Sequence, residues 1–310
     1  MNEIDFIKMA GTGNDYIFLD CLDGKDPDLT AEDIVKLSNR KTGIGSDGLV
    51  KIVPSETCIA GMKMWNSDGS PSRMCGNALR CIGFYIYKKY GETSFCLESD
   101  TGIHRTKILK SINDFEAIVE VEIGKPFFLA DQIPFIPAKA GSKITDGAPF
   151  VSIPIGIEDK QLRQILGSEV LHATLVSMGN PHCIIFVDDA HNFPVREVGA
   201  LIESHPAFPE RTNVEFVTKK SDGSFFQRTF ERGAGETDAC GSGACAVLIA
   251  SVLEEKGPSK NTIELIGGNL EVEWDRSMKS GESEAPSAGQ VFLRGSAREV
   301  FRGTFSTGSL

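Results

Sequence analysis

The chain has 310 residues, of which 41% are apolar and 24% charged, a balance that suits a water-soluble protein with one large domain or two ordinary ones. A net charge of −11 and the lack of any Lys/Arg run argue against nucleic-acid or anionic-membrane partners. No stretch of about 18 apolar residues occurs, so no membrane span is expected, and the opening "MNEIDFIKMAGTGNDY" has no basic flank ahead of an apolar run, so no signal peptide is expected.

In chain order, "TGNDYIFLD" (12–20) gives a buried strand after Asn14. "AEDIVKLSN" (31–39) gives a helix capped by Thr30. "GIGSDGLVKIV" (43–53) follows, then "WNSDGSPSRMCGNALRC" (65–81), which opens a helix after Cys75 that stops at Gly91. "EAIVEVEIG" (116–124) alternates as a strand. The second half repeats the series. "MGNPHCIIFVD" (178–188) matches 12–20 with Asn180 on Asn14, an offset of 166. "ERTNVEFVTK" (210–219) matches 43–53 with Asn213 on Asp47, again 166. "FERGAGETDACGSGACA" (230–246) matches 65–81 with Cys240 on Cys75 and Glu231 on Asn66, an offset of 165. A helix apolar nearly all round runs from Cys240 to Gly257-Pro258. Strands follow over 261–274 and 289–295, and 277–289 reads as an exposed loop. Three segments in one order at nearly one offset indicate an internal repeat of roughly 120 residues. A helix apolar on every side is buried in its own domain, so each half should wrap a curved sheet around its helix.

The two equivalent cysteines carry the chemistry. A helix N-terminus presents free N–H groups and a positive dipole end, which favours a thiolate and suits a carboxylate or an enolate-like dianion. Gly76-Asn77 and Gly241-Ser242 leave those N–H groups open. Pseudo-symmetric halves would set the thiols across one bound molecule, one removing a proton from one face and the other delivering a proton to the opposite face. That is stereoinversion without a cofactor.

"GTGNDY", "NSDGS…MCGNALRC", "MGNPH", "TNVEF" and "ERGAGETDACGSGA", in this order, make the chain resemble the diaminopimelate epimerases, among the cofactor-independent amino-acid racemases. The resemblance runs to the final "VFRGTF". It implies an α/β (α+β) fold of two pseudo-symmetric domains, each a curved, mostly antiparallel sheet or barrel around a central helix. The expected boundaries are 1–124, joined by a C-terminal strand 299–310, and 125–298. It implies interconversion of LL- and meso-2,6-diaminopimelate on the route to lysine and peptidoglycan, in a cytoplasmic homodimer with no cofactor and no metal. By the motif match Cys75 and Cys240 are the acid/base pair, and Gly76, Asn77, Gly241 and Ser242 bind the reacting end. Asn14, Asn66, Asn180, Asn213, Glu231 and Arg232 hold the rest, while His182 and Glu231 tune the thiols. The residues agree with this: Arg232 offers a carboxylate a two-pronged donor, and asparagines serve ammonium and carboxylate alike. Asn66 stands against Glu231-Arg232 in the repeat, which makes the pocket asymmetric, as inversion at one end of a two-ended amino acid requires.

Four positions depart from the family pattern. Gly48 stands where glutamine usually follows the aspartate, removing a polar contact, and Ala78 stands for a commoner glycine. Asp238, two residues before Cys240, is expected to point outward. Phe301 replaces a tyrosine at the dimer contact.

The plainer readings stand beside these. Cys21, Cys58, Cys96 and Cys183 are expected to be inert packing, with Cys81 and Cys245 structural within the helices; reduced thiols are expected throughout. "CGNALRC" and "CGSGAC" lack the usual zinc-ligand gap, and "GAGETDACGSG" lacks the lysine of a phosphate loop. The rival functions are a racemase of another amino acid such as glutamate or histidine, an isomerase related to phenazine synthesis, and a thiol redox sensor or amino-acid-binding module.

Overall fold

A computed structural model describes residues 3–140, 148–277 and 289–309. The chain divides into two compact units, Met1–Glu122 with Arg294–Leu310, and Ile123–Leu293. Both mix strands and few helices, an α+β architecture.

The first unit contains β1 (Glu3–Gly11), β2 (Asn14–Asp20), α1 (Ala31–Ser38), β3 (Gly48–Val53), β4 (Ala60–Asn66), β5 (Pro71–Ser72), α2 (Gly76–Tyr90), β6 (Ser94–Ser99), β7 (Gly102–Asn113) and β8 (Glu116–Gly124). Its last strand is the end of a long one that starts in the second unit, here β17 (Gln290–Ser306). β17 pairs with β1, β1 with β2, β2 with β3, β3 with β4, β4 with β6, β6 with β7, β7 with β8, and β8 with β17 again. The ring closes as an eight-stranded barrel in which β2–β3 and β4–β6 are parallel pairs. Closure leaves no unpaired edge.

Helix α2 fills this barrel. Asn77 to Ile86 are all buried, and a Cβ on Gly83 would stand 2.7 Å from Thr106 Cγ2 on β7 and 3.1 Å from Val119 Cγ1 on β8. Along β8 the apolar Ala117, Val119 and Val121 point inward and the residues between them face out at least partly, the alternation of a strand with one wet face. Gly91, at φ 77°, ends α2 in the left-handed conformation that costs glycine little. Thr30 and Asp33 close a capping box on α1, whose length matches the sequence reading to one residue.

The second unit contains β9 (Ile153–Gly156), α3 (Lys160–Leu166), β10 (Val170–Ser177), β11 (Pro181–Phe186), α4 (Val195–Glu203), β12 (Asn213–Lys219), β13 (Phe225–Glu231), β14 (Gly235–Thr237), α5 (Gly241–Leu253), β15 (Lys260–Leu265) and β16 (Gly268–Asp275). It repeats the first unit step by step. β10–β11 is antiparallel like β1–β2, β11–β12 parallel like β2–β3, β12–β13 antiparallel like β3–β4, and β13–β15 parallel like β4–β6. Helix α5 packs against β10, β11, β12, β13, β15 and β16, with Gly243 to Ser251 buried, so it is the counterpart of α2. Helix α4, which the sequence reading missed, lays Val195, Val198 and Ile202 into a core with Phe208, Val214 and Phe216. The loop read at 277–289 lies, apart from its two ends, outside the described residues.

Two expectations change. Cys58 and Cys96 are neither reduced nor core packing: they form a disulfide with a Cα–Cα distance of 5.1 Å. The parallel β4–β6 pairing sets Ala60 beside Leu97 and bonds Ile59 N to Cys96 O, which brings the two half-buried cysteines within bridging reach. Gly48 is not simply a missing polar contact either. A Cβ there would stand 2.1 Å from the Trp65 carbonyl oxygen, so the β3–β4 approach admits no side chain. Among the described residues no helix is long and apolar enough to cross a membrane.

Candidate active site

In the first unit, Cys75 is the N-cap of α2, in extended conformation at φ −142° and ψ 120°, with no hydrogen bond from its side chain to the helix. It is half-buried, and its Sγ lies 3.4 Å from the Tyr16 hydroxyl on β2. Asn77, the second residue of the helix and 1% exposed, donates through Nδ2 to Asn14 Oδ1 at 2.5 Å. Asn14 in turn donates to Asp47 Oδ2 at 3.2 Å. Beneath them the wholly buried Arg80 donates through Nη2 to Asn77 Oδ1 (2.8 Å) and Thr12 Oγ1 (2.9 Å), and through Nε to the Ser296 carbonyl (3.3 Å). Asn14 and Asn77 are thus held in one amide array above a fixed guanidinium. Asn66 is exposed and donates to Ser70 Oγ at 3.0 Å within the β4–β5 turn.

In the second unit, Cys240 is the N-cap of α5, also extended at φ −132° and ψ 106°, and its Sγ accepts from the Gly243 N–H at 3.4 Å. Ser242 Oγ lies 3.6 Å from the same sulfur and accepts from Asn180 Nδ2 at 3.3 Å. Asn180 Oδ1 is 3.1 Å from His182 Nε2, and His182 Nδ1 is 2.7 Å from Glu215 Oε1. The His182 and Glu215 side chains are fully buried, and ligand-type atoms of His182, Glu215 and Cys240 lie within 4.8 Å of one another. Glu215 Oε2 is buried without a hydrogen-bond partner. Glu231, at the end of β13, accepts from Thr237 Oγ1 at 2.5 Å. Burial lifts its carboxyl above the usual carboxylate range; Thr237 pulls against this, and the nearby Glu215 adds to it.

The sequence led us to expect lowered thiols. For Cys240 the direction is the reverse: burial pushes it well above an ordinary thiol, and the Glu231 and Glu215 charges push the same way, against the weaker pull of Ser242 and the Gly243 N–H. The helix terminus is real, but burial, with two carboxylates from β13 and β12 behind it, outweighs it. Burial, against the pull of the neighbouring Arg80, drives Cys81 up to about 12, in keeping with an inert helix-core thiol, and burial raises Cys21 to about 11.

The remaining residues from the motif match are placed less simply. Asn213 is 4% exposed with both amide ends on backbone, donating to the Pro181 carbonyl (2.9 Å) and accepting from the Arg232 N–H (3.0 Å). It therefore shapes the turn that presents Arg232. Arg232 itself is exposed, with Nη1 donating to the Glu210 carbonyl at 3.1 Å. Gly76, Gly241 and Ser242 form the half-open first turns of the two helices. Asp238 is exposed, as is Phe301. Sequence reasoning missed Tyr16, Arg80 and Glu215. Two signals were available: Tyr16 and His182 share the 166-residue offset, and Glu215 interrupts an apolar strand. A hollow of 1090 Å³ in the first unit, lined by Asp5, Asp20, Asp26, Tyr85 and Arg302 among others, includes none of the residues expected to touch substrate.

The sequence profile described as "Diaminopimelate epimerase" matches residues 6–129 and 174–289. The chain is 41% identical over 304 residues to the diaminopimelate epimerase of Leptospira biflexa, covering 97% of this chain and 98% of that protein. It is 39% identical over 304 residues to that of Methanococcus maripaludis strain C6, covering 96% and 98%. Among solved structures, a Bacillus anthracis phenazine biosynthesis protein of the PhzF family superposes with a TM-score of 0.67 at 16% identity, over 99% of this chain and 100% of that one. A hydroxyproline epimerase from Agrobacterium vitis superposes at 0.64 and 13% identity, over 98% and 91%. At such identities these structures speak for a shared fold alone.

Proposed function

The chain belongs to the diaminopimelate epimerase family, and from that premise we propose that it interconverts LL- and meso-2,6-diaminopimelate without a cofactor, Cys75 and Cys240 exchanging protons with the α-carbon. The observation that carries the assignment of the two thiols is their equivalence. Each is the extended N-cap of the one buried helix at the centre of its unit, in two units that repeat strand by strand.

The chemistry follows from the half-sites. An α-hydrogen of an amino acid is a weak acid, and its removal places negative charge on the adjoining carboxylate. Free N–H groups in the first turns of α2 and α5 stabilise that charge where it develops, with no rearrangement at the moment of reaction. One thiolate takes the proton from one face, the other thiol returns a proton to the opposite face, and the roles reverse in the reverse direction. In the ligand-free enzyme Cys240 is the partner that rests protonated, since burial, Glu231 and Glu215 all oppose its ionisation. Asn14 and Asn77 in one unit, and Asn180, Glu231 and Arg232 in the other, are the polar groups we assign to the substrate's ammonium and carboxylate ends. Exposed Val300 (47%) and Phe301 (46%) on β17 support a homodimer, and the substrate's place in lysine and peptidoglycan synthesis supports a cytoplasmic one.

Incubation with LL-diaminopimelate in D₂O tests the whole reading. Deuterium at the inverted α-carbon and formation of the meso isomer are expected, with both lost in Cys75→Ala and in Cys240→Ala. Turnover in the double variant would refute the two-thiol mechanism, and the absence of any exchange in the parent protein would refute the substrate.

A further inference from the structure

We infer that Tyr16 is a positioning residue for Cys75: its hydroxyl donates a hydrogen bond to the Cys75 sulfur and fixes the pH range over which that thiol exchanges protons. This rests on the reading of Cys75 as one of the two proton-exchanging thiols.

Four observations point the same way. The Tyr16 Oη to Cys75 Sγ distance is 3.4 Å, within hydrogen-bonding range for sulfur. Tyr16 is 7% exposed, and its ring lies edge-on to Phe18 at 6.3 Å and 87°, so the hydroxyl is presented from a fixed position on β2. Cys75 makes no side-chain bond to its own helix, whereas Cys240 accepts the Gly243 N–H. The sulfur of Cys75 therefore meets a side-chain hydroxyl where that of Cys240 meets its own helix. Finally, Tyr16 lies at the same 166-residue offset from His182 as Asn14 does from Asn180. The repeat thus has a slot on its second strand from which a polar ring reaches the thiol region, filled by a phenol in one unit and by an imidazole in the other.

The difference in chemistry matters. A neutral hydroxyl supports the thiolate, the form that accepts a hydrogen bond best, and adds no further charge. The charged groups around this half-site are already committed elsewhere. Lys8 on β1 and Arg40 beyond α1 are paired with Asp15 on β2, and Arg40 also with Asp47 ahead of β3. Arg80 on α2 is bonded to Asn77 and Thr12, and the neighbouring Cys81 thiol, pushed up to about 12, stays protonated. The Tyr16 hydroxyl is the contact made directly to Sγ.

The test is Tyr16→Phe, which deletes only the hydroxyl. Cys75 is half-buried while the free cysteines Cys21, Cys81, Cys183, Cys240 and Cys245 are buried, so iodoacetamide labels Cys75 first and peptide mass spectrometry follows its rate against pH. Loss of one hydrogen bond to the thiolate should move that profile up by about one pH unit, a factor of roughly ten. Epimerase kcat should fall about tenfold at pH 7 and recover as the pH is raised, with KM within about twofold and an unchanged melting temperature. Tyr16→His, which imports the ring of the other repeat, should restore part of the lost rate. An alkylation profile that coincides with that of the parent overturns the inference. Cys75→Ala separates the two readings: if it still turns over substrate, the role of Cys75 falls, and if it is dead while Tyr16→Phe matches the parent in both assays, the role of Tyr16 alone falls.

Discussion

Replacing Glu215 by Gln isolates one of the two charges that, after burial, oppose ionisation of Cys240. Glutamine keeps the shape of the side chain and an oxygen that can accept from His182 Nδ1, so the 2.7 Å bond survives in kind while the negative charge disappears. The carboxylate and the Cys240 sulfur lie within 4.8 Å. At that separation and an effective dielectric of about 20, two unit charges interact by roughly 3.5 kcal/mol, or about 2.5 pH units, which sets the scale of the effect. Any positive charge shared by His182 reduces it, so we expect the Cys240 titration to move down by about one to two units. Thiolate absorbance at 240 nm, taken as the difference between Glu215→Gln and Glu215→Gln/Cys240→Ala, reads that single group, because Cys21 and Cys81 ionise only near 11 and 12. Folding stability at neutral pH should hold or rise, since Glu215 Oε2 is already without a partner. A Cys240 titration that stays where it was, or moves upward, would show that burial and Glu231 alone set this thiol and would refute the electrostatic account.

Three further outcomes follow from the same geometry. Glu231→Gln should abolish turnover yet gain in stability relative to the parent as the pH rises. The raised carboxyl favours folding below its ordinary titration range, and that contribution is lost as the pH climbs through the folded-state value; urea denaturation at pH 4 and pH 7 reads the difference. Gly48→Gln, which restores the side chain common in the family, should destabilise the first unit by several kcal/mol, on the order of the larger overpacking costs, because its Cβ meets the Trp65 backbone oxygen at 2.1 Å; a wild-type urea midpoint would contradict the packing seen there. The Cys58–Cys96 bond, which spans 38 residues, should contribute about 2–4 kcal/mol. Thiol titration of the unfolded, unreduced protein should count the six free cysteines, Cys58→Ser/Cys96→Ser should melt lower only without reductant, and a count of eight thiols would remove the bridge from the native protein.

What could be read without coordinates was local. Helix α1 is announced by Thr30 with Asp33, α2 by its apolar faces and Gly91, and β8 by strict alternation, because caps and periodicity act within a few residues. The cysteines were legible through the repeat, which compares the chain with itself. Two of the failures share one physical cause, contacts between residues far apart in the chain. The Cys58–Cys96 bridge depends on β4 lying parallel to β6, a pairing made across α2 that no short window contains. The upward push on Cys240 comes first from burial and then from carboxylates on β13 and β12, all set by parts of the chain distant from the helix end that seemed to decide the matter. Helix α4 begins after Pro194 and runs only nine residues, too short for its periodicity to stand out beside the buried strands.

The repeat also explains why a duplicated fold suits inversion at one end of a two-ended amino acid. Duplication supplies two thiols at two helix starts, but identical surroundings would give them identical titration and leave no preference for which is charged. The equivalent slots are therefore filled unlike. Tyr16 stands where the other unit has His182, Leu49 where it has Glu215, and Asn66 where it has Glu231. On one side a neutral phenol touches the sulfur; on the other a buried acid and imidazole stand beside it, with a second acid at the end of β13. Burial and the two acids oppose ionisation of the Cys240 thiol, and no acid takes the equivalent slots beside Cys75. Exchanging the slot residues, Tyr16→His with His182→Tyr, should narrow the gap between the two thiols' alkylation profiles, and an unchanged gap would locate the asymmetry in the backbone rather than in these side chains.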